Sequence, residues 1–185
     1  LEPVSPPPLP EGPLTVANWA QVIGALLPEN AIISDEANTS GVLLPAATAA
    51  APAHDVLTLT GGAIGQGLPC ATGAAVACPD RPVIAFQADG SGMYTVQSLW
   101  TQAREGLDVT TLICSNREYR ILRVELARAD ISSPGPQAQS VTSLADPALD
   151  WVALARGMGV PGVAVETGEA LARELFPGST HGRKP

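Results

Sequence analysis

Short apolar runs alternate along this 185-residue chain with longer segments in which apolar residues recur every three or four positions. Uniformly apolar runs are typical of strands buried on both faces of a parallel sheet, and the longer spacing is typical of helices with one buried face. The pattern predicts five strands, at 31–34, 56–59, 82–87, 109–114 and 162–165. It predicts helices between Thr15 and Pro28, at 41–50, 68–77 and 92–105, from the 115–119 turn to Arg128, and at 147–156 and 169–176. This alternation predicts an α/β fold with a doubly wound, mainly parallel sheet and helices on both faces.

Proline, glycine and polar residues mark the limits of the predicted domain. Residues 1–14 are rich in proline and cannot form a packed element by themselves, which predicts a linker. The domain is predicted to extend over 15–176, and the short polar segment 177–185 is predicted to be a tail. Residues 131–145 are rich in serine, proline and glycine and are expected to form a surface loop. A chain that begins with a linker is expected to be a fragment of a longer protein.

Charge and hydropathy narrow the classes of partner. The formal net charge is −8 at pH 7, which argues against nucleic acid or an anionic membrane as a partner. No apolar run approaches the ~20 residues that span a bilayer. Cys70, Cys78 and Cys114 lie in apolar contexts without CxxC spacing and are interpreted as buried free thiols of a cytoplasmic protein. His54 and His181 are interpreted as surface residues and not as catalysts.

Polar residues follow the apolar strands at the point where each strand ends. Asp89 begins the turn Asp-Gly-Ser after one strand, and Asn116 follows the next strand 27 positions later. The carboxyl ends of neighbouring parallel strands meet at one edge of the sheet, where such folds bind ligands. Carboxylate and amide oxygens are ligands that Mg²⁺ prefers, and glycine-rich turns offer backbone N–H groups to phosphates. With further polar turns at 36–40 and 60–66, the sequence predicts a metal-bridged diphosphate site.

Three longer stretches carry a family resemblance. The Asp-Gly-Ser turn and the asparagine after it resemble the signature of thiamine-diphosphate enzymes, in which a GDG motif is followed by a paired asparagine. Residues 61–75, 80–103 and 115–128 resemble the C-terminal diphosphate-binding domain of acetolactate synthase and benzoylformate decarboxylase-like enzymes. The resemblance extends over about 14–175. It implies the thiamine-diphosphate-binding fold and an enzyme, a lyase or transferase, that decarboxylates or ligates 2-keto acids.

The resemblance assigns roles to residues of the turns at the strand ends. It implies that Mg²⁺ is held by the side chains of Asp89 and Asn116 and by the backbone carbonyl of Glu118. It implies that Ile64 supports thiamine diphosphate in a bent shape, and that the Gly62 carbonyl accepts a hydrogen bond from the aminopyrimidine ring. The residues that the resemblance implies for the diphosphate are Thr39, Ser40, Gly90, Ser91 and Tyr119.

The chain departs from the family pattern in several places. Ala88 replaces the first glycine of GDG, which adds a methyl group beside the phosphates, and Ser115 replaces the first asparagine of the pair. Neither change removes a metal ligand. Family members protonate the cofactor ring with a glutamate of a separate pyrimidine-binding domain, and no segment here resembles that domain. The chain is therefore expected to carry no catalytic residue. It is expected to need a pyrimidine-binding domain of the same or another chain, within a homo-oligomer that acts on a small 2-keto acid.

Two other interpretations stay open. The chain could be a non-catalytic domain that binds the cofactor or assists assembly, which turnover with and without a pyrimidine-binding chain would separate. It could also be an unrelated Rossmann-like nucleotide binder, although residues 62–67 do not form the dinucleotide motif GxGxxG. Glu36, beside the expected phosphates, is predicted to be paired with an arginine or solvated. Arg117, Arg120 and Arg123 lie near the Asn116 turn and could face phosphate or a substrate acid, but residues at helical spacing more often form a solvated face, which is the prediction.

Overall fold

The computed structural model describes residues 5–175. Its centre is a four-stranded parallel sheet in the order β2-β1-β3-β4. The strands are β1 (Ile32–Glu36), β2 (Asp55–Thr58), β3 (Val83–Ala88) and β4 (Val109–Cys114). Ile32 lies opposite both Asp55 and Val83, and Val83 lies opposite Val109. The prediction of a parallel α/β sheet is confirmed.

Helices connect the strands and cover the sheet. Those of the described residues are α1 (Val16–Leu26), α2 (Leu44–Ala47), α3 (Gly67–Ala77), α4 (Asp89–Gly92), α5 (Ser98–Arg104), α6 (Arg120–Arg128), α7 (Pro136–Val141), α8 (Trp151–Gly157) and α9 (Gly168–Leu175). A 3₁₀ turn at Asn38–Ser40 follows β1. Thr15 caps α1 as predicted, because its hydroxyl accepts a hydrogen bond from the Asn18 backbone N–H. None of these helices has the length and apolar character needed to cross a bilayer.

Two hydrophobic cores lie on opposite faces of the sheet. Helices α1 and α9 cover one face, where Trp19 stands edge-on to Phe86 with ring centroids 5.4 Å apart. Helices α3 and α5 cover the other face, where Leu68, Ala71 and Leu99 are buried. Successive residues of β3 enter the two cores alternately, which is why this strand is apolar almost throughout. The prediction of helices on both faces is therefore confirmed.

The order of the strands places a topological switch point between β1 and β3. From β1 the chain moves outward to β2 on one side, and it then returns to add β3 and β4 on the other side. Ligands of open α/β sheets bind where such a reversal separates the carboxyl ends of two neighbouring strands. Here those ends are Glu36 of β1 and Ala88 of β3. A ligand site is therefore expected between them.

The predicted fifth strand at 162–165 is not formed. These residues make no strand ladder within the described part of the chain, and Val163 is 61% exposed. Close by, the Leu14 N–H donates to the Glu166 carbonyl at 2.8 Å. An apolar run becomes a strand only where a partner strand is within reach. This run lies beside the segment that precedes α1 instead.

The predicted helix at 92–105 is shortened to α5, and α4 lies almost entirely before the predicted range. Helices α4 and α5 are separated by residues 93–97. There the N–H groups of Tyr94 and Thr95 bond to carbonyls three residues earlier, which is a tighter spacing than in an α-helix. The Thr95 hydroxyl also donates to the Gly65 carbonyl at 3.0 Å. A contact with a segment far away in the chain thus accompanies the break between the two helices.

Further helix predictions need correction. The predicted loop at 131–145 contains α7, which has a proline in its first turn, where a missing N–H is tolerated. The helix predicted after Asp146 begins instead after Asp150, whose carboxylate accepts the Ala153 N–H at 2.9 Å. Asp150, and not Asp146, therefore caps α8. Both acids are suitable N-cap residues, so the local sequence does not distinguish between them. The predicted helix at 41–50 is reduced to α2.

The described part of the proline-rich segment packs on the domain. Leu14 joins the core between α1 and α9, and the Gly12 carbonyl accepts the Gly168 N–H at 2.9 Å. The domain boundaries proposed from the sequence stay predictions. Phe176 and the tail at 177–185, with its histidine, lie outside the described residues.

Candidate metal and diphosphate site

Asp89 lies at the switch point, as the residue after β3 and the first residue of α4. It is buried, with 2% of its surface exposed. One carboxylate oxygen accepts the Gly90 N–H at 2.9 Å, and the other accepts the Arg117 N–H at 2.6 Å. Because Ala88 of β3 pairs with Cys114 of β4, the second bond joins the turns that follow two neighbouring strands. The structure thus brings the two turns singled out in the sequence into direct contact.

The carboxylate of Asp89 has no cationic side chain as a partner among residues 5–175. Burial raises the pKa of Asp89 above its ordinary value, the N–H groups of Arg117 and Gly90 oppose the rise, and the charge of Glu118 adds to it. A buried anion is unfavourable unless a cation neutralises it. Each oxygen that accepts one N–H still has a lone pair available, which suits a hard divalent cation. These residues therefore fit a Mg²⁺ ion.

The turn after β4 carries the other two predicted metal ligands. Asn116 is exposed, and its side-chain oxygen accepts the Glu118 N–H at 3.0 Å. The Glu118 carboxylate pairs with Arg120 at 3.1 Å and with Arg123 at 2.8 Å. That side chain is thus turned toward α6, which leaves the backbone carbonyl as the group that the resemblance assigns to the metal. Both arginines are largely exposed, as expected of a solvated helix face.

Tyr119 packs directly on the turn after β3. A Cβ atom at Gly90 would lie 2.6 Å from Cδ1 of the Tyr119 ring, well inside van der Waals contact. Glycine is therefore required at this position unless the ring moves. The Tyr119 N–H donates to the Thr142 carbonyl at 2.9 Å, and the Leu144 N–H donates to the Arg117 carbonyl at 2.8 Å. The segment after α7 thus holds the turn that contains the predicted metal ligands.

The remaining residues predicted for the diphosphate lie on the turns after β3 and β1. Ser91 is buried, and its hydroxyl oxygen accepts a hydrogen bond from the Gln87 amide at 2.6 Å. Thr39 and Ser40 are half-buried in the 3₁₀ turn after β1. The Trp19 indole N–H donates to the Ser40 carbonyl at 3.0 Å, which ties this turn to the core. All of these residues therefore lie at the carboxyl edge of the sheet.

The glycine-rich turn between β2 and α3 carries Gly62 and Ile64. The φ angles of Gly61 and Gly62 are 62° and 71°, a conformation that favours glycine. The Gly62 carbonyl accepts the Ile64 N–H at 3.0 Å and keeps a second lone pair for another donor. Ile64 is 41% exposed and belongs to neither core. Its side chain is therefore accessible to a ligand.

Glu36 is the residue of this site that the sequence reasoning missed. It is 1% exposed, and no arginine pairs with it in the described part of the chain, so both expected environments are wrong. Its carboxylate oxygens accept the Gly65 N–H at 2.6 Å and the Gly67 N–H. The available signal was an acidic residue at the end of an apolar strand. That signal does not name the partners, because the first of them lies 29 residues further along the chain.

The ends of three strands converge around Cys114. Burial raises the pKa of the Cys114 thiol to about 12, the charges of Asp35 and Asp89 add to the rise, and a hydrogen bond with Ser40 opposes it. Burial likewise raises the pKa of Asp35. Cys70, Cys78 and Cys114 are free, as predicted, but each is half-buried and not fully buried as expected. A cavity of about 280 Å³ opens at the ends of β1 and β2, lined by Asp35, Glu36, Asn38, Gly41, Val42, Thr58 and Leu59.

Comparison with known proteins identifies the family to which this sequence is similar. Residues 54–181 match the family described as thiamine pyrophosphate enzyme, C-terminal TPP binding domain. The chain belongs to this family. Thiamine pyrophosphate is another name for thiamine diphosphate, so the resemblance inferred from the sequence is confirmed. The matched residues include the glycine-rich turn and the turns of Asp89 and Asn116.

Named relatives share both the sequence and the fold. IlvX of Mycobacterium tuberculosis H37Rv, provisionally named an acetolactate synthase large subunit, is 59% identical over 172 residues, which are 92% of this chain and 33% of IlvX. Benzoylformate decarboxylase of Pseudomonas aeruginosa is 33% identical over 174 residues, which are 92% of this chain and 31% of the decarboxylase. The solved structure of Rhodococcus jostii RHA1 thiamine diphosphate-dependent 4-hydroxybenzoylformate decarboxylase is 29% identical with a TM-score of 0.73, covering 86% of this chain and 29% of that one.

The chain spans about a third of the length of these relatives. It corresponds to the thiamine-diphosphate-binding domain of acetolactate synthase-like and benzoylformate decarboxylase-like enzymes. The relatives are about three times as long, so they contain further domains beside this one.

Proposed function

We propose that this chain binds thiamine diphosphate through a Mg²⁺ ion and forms one half of the active site of an enzyme that acts on 2-keto acids. The observation that carries the proposal is the environment of Asp89. This buried carboxylate lies at the switch point and has no cationic side chain as a partner among the described residues. It accepts a hydrogen bond from the Arg117 N–H, in the turn that carries Asn116. A divalent cation there would neutralise the buried charge and bind diphosphate oxygens.

Three groups of this chain would hold the metal. Asp89 and Asn116 offer side-chain oxygens and Glu118 offers its backbone carbonyl, and diphosphate and water oxygens would complete the octahedron that Mg²⁺ prefers. Ile64 would support the bent cofactor, and the Gly62 carbonyl would accept from its aminopyrimidine ring. When bound, thiamine diphosphate supplies a nucleophilic carbon that makes or breaks a bond beside a keto group. The residues proposed for the diphosphate are Thr39, Ser40, Gly90, Ser91 and Tyr119.

The proposed active site needs a second domain. In the family the activating glutamate belongs to a pyrimidine-binding domain, which we propose comes from the same or another chain of a homo-oligomer. The greater length of the relatives supports this, as does the exposure of Ile64 and Tyr94 beside the site. The names of the relatives, decarboxylases and acetolactate synthases, support a lyase or transferase with a small 2-keto acid as substrate. A cytoplasmic location stays a prediction.

A second candidate is a non-catalytic domain that binds the cofactor or assists assembly. The observation that favours it is that the chain covers only about a third of its relatives. Steady-state turnover of 2-keto acids separates the two candidates. Activity that depends on adding a pyrimidine-binding chain supports the enzyme, whereas cofactor binding without turnover in that mixture supports the non-catalytic domain.

Calorimetric titration tests the proposed ligand. The 185-residue chain is titrated with thiamine diphosphate in Mg²⁺ and again in EDTA, with NAD and ATP as comparison ligands. We expect saturable binding of thiamine diphosphate only when Mg²⁺ is present. Binding that is unchanged in EDTA would overturn the metal assignment, and equal binding of ATP or NAD would overturn the ligand assignment.

A further inference from the structure

We propose that Glu36 is a positioning residue that holds the glycine-rich turn, residues 60–67, in the shape that the cofactor requires. The ligand in this inference rests on the proposed function, whereas the geometry rests on the protein's own contacts. Glu36 ends β1 and is almost completely buried. One of its carboxylate oxygens accepts the Gly65 N–H at 2.6 Å, and the other accepts the Gly67 N–H. One strand end thereby binds two backbone donors of a single turn.

Other side chains bind the carbonyl groups of the same two glycines. The Ser34 hydroxyl donates to the Gly67 carbonyl at 2.8 Å, and the Thr95 hydroxyl donates to the Gly65 carbonyl at 3.0 Å. Side chains from β1 and from the loop before α5 therefore satisfy the N–H and C=O groups of both glycines. Buried backbone polar groups must be paired, and most are paired within secondary structure. Pairing by several side chains indicates that this turn is held in one conformation.

The backbone of the turn approaches its neighbours too closely for any side chain larger than glycine. A Cβ atom at Gly67 would lie 2.6 Å from Oε1 of Gln87 and 2.8 Å from Cβ of Glu36. At Gly65 the φ angle is 88°, and a Cβ atom would lie 2.8 Å from Cβ of Tyr94. Glycine is the residue that tolerates both the angle and the close approach. The two glycines therefore permit the contact that Glu36 makes.

Glu36 acts through the turn and not by binding diphosphate. Both of its oxygens already accept backbone N–H groups, and a carboxylate repels a second anion. Ile64 and Gly62 belong to the same turn and are the residues proposed to meet the bent cofactor and its aminopyrimidine ring. Loss of the Glu36 carboxylate should therefore disturb the contacts to the rings more than the contacts to the phosphates.

Amide hydrogen exchange on the ligand-free 185-residue chain tests the geometry. In the wild-type chain, the Gly65 and Gly67 amides should exchange much more slowly than the amide of Gly61, which is exposed in the same turn. Glu36→Gln keeps the size of the side chain but turns one acceptor into a donor. It should accelerate exchange roughly tenfold to a hundredfold at the glycine that loses its acceptor, the factor for losing one hydrogen bond to a charged group, and less at the other glycine. Glu29→Gln, which neutralises an exposed acid, is the matched control and should change neither rate.

Wild-type exchange at Gly65 and Gly67 as fast as at Gly61 would overturn the proposal, and this result needs no variant that folds. Unchanged exchange in a folded Glu36→Gln chain would overturn it as well. Circular dichroism and the unfolding temperature establish whether the variant is folded.

Two ligands separate this inference from the proposed function. Inorganic diphosphate with Mg²⁺ engages only the metal and phosphate residues, whereas thiamine diphosphate with Mg²⁺ also meets Ile64 and Gly62. For Glu36→Gln we expect roughly tenfold weaker binding of thiamine diphosphate and unchanged binding of inorganic diphosphate. Equal losses for both ligands would show general damage to the domain and would overturn the positioning role. If the wild-type chain binds neither ligand, the proposed function fails, and the exchange rates alone decide whether Glu36 holds the turn.

Discussion

At the scale of single residues, Asp89 is a buried acid whose surroundings in the protein are only partly favourable. Two backbone N–H groups stabilise its carboxylate, but burial raises its pKa and no cationic side chain in the described residues pairs with it. An ionised group in such a place is destabilising until a cation arrives. A metal ion at the end of β3 would explain why an acid is buried there.

Removal of the Asp89 carboxylate should abolish most of the metal-dependent affinity. We expect Asp89→Ala to weaken binding of thiamine diphosphate in Mg²⁺ at least about thirtyfold, since loss of one member of a buried charge pair costs roughly 2 kcal/mol or more. Asn116→Ala removes a neutral ligand and should weaken binding only about fivefold. Calorimetry measures both. Unchanged Mg²⁺-dependent affinity in Asp89→Ala would show that the site is wrongly assigned.

The packing of Tyr119 on Gly90 makes a second prediction at this scale. Gly90→Ala places a methyl group 2.6 Å from Cδ1 of the Tyr119 ring and should lower the free energy of unfolding by roughly 1–3 kcal/mol. Gly73→Ala is the matched control, because Gly73 is exposed in α3 and no atom lies within 4 Å of its added Cβ. The control should be neutral or stabilising by up to about 1 kcal/mol. Denaturant unfolding checks both, and equal stability of the two variants would contradict the contact.

At the scale of elements, reciprocal hydrogen bonds define where helix α1 begins. The Thr15 hydroxyl accepts the Asn18 N–H at 3.2 Å, and the Asn18 side-chain oxygen accepts the Thr15 N–H at 2.5 Å. Such a pair satisfies two N–H groups that the helix itself leaves without partners. Trp19 follows directly and connects α1 to the sheet through Phe86 and to the turn after β1 through its indole N–H. The start of α1 therefore contributes to the position of Ser40.

Loss of this cap should destabilise the domain without harming the metal ligands. We expect Thr15→Ala to lower the free energy of unfolding by about 1 kcal/mol, because one helix N–H loses its acceptor. Thr15→Ser keeps the hydroxyl and should stay close to the wild type. Thermal or denaturant unfolding measures the difference. If Thr15→Ser lowers the free energy of unfolding as much as Thr15→Ala does, the stabilisation comes from the methyl group of Thr15 and not from its hydroxyl.

At the scale of the whole molecule, apolar side chains are exposed at two places on the described surface. All four residues of the edge strand β2 are exposed, with Val56 at 46% and Leu57 at 38%. Ile64 and Tyr94 are exposed beside the candidate site. Open sheet edges and exposed apolar groups favour association with other chains.

The isolated 185-residue chain should therefore associate and should be catalytically silent. Sedimentation velocity should show a mean mass that rises with protein concentration. Decarboxylation of pyruvate or benzoylformate should be undetectable without a pyrimidine-binding chain, because the activating glutamate is expected to lie in that domain. Cofactor-dependent turnover by the chain alone would contradict the proposed division of the active site, and a monomer at every concentration would contradict the association.

The sequence by itself determined the features that depend on local chemistry or on the connectivity of parallel strands. The cap at Thr15 could be predicted because its partner is three residues away. The meeting of the Asp89 turn with the Asn116 turn could be predicted because neighbouring parallel strands end at the same edge of a sheet. The family signature lies in the same turns, so the class of cofactor could be inferred from the residues alone.

Only the tertiary structure decided the features whose partners lie far away in the chain. The local sequence predicts that Glu36 is paired with an arginine or solvated, yet it is buried because a glycine-rich turn 29 residues later presents its N–H groups there. The helix predicted at 92–105 begins only at Ser98, and Thr95 in the segment before it donates a hydrogen bond to that same turn. The run at 162–165 is apolar enough for a strand but pairs with no sheet edge in the described chain. The local sequence pattern shows which residues are apolar and tend to be buried. The packing of the whole chain determines which backbone groups each side chain contacts.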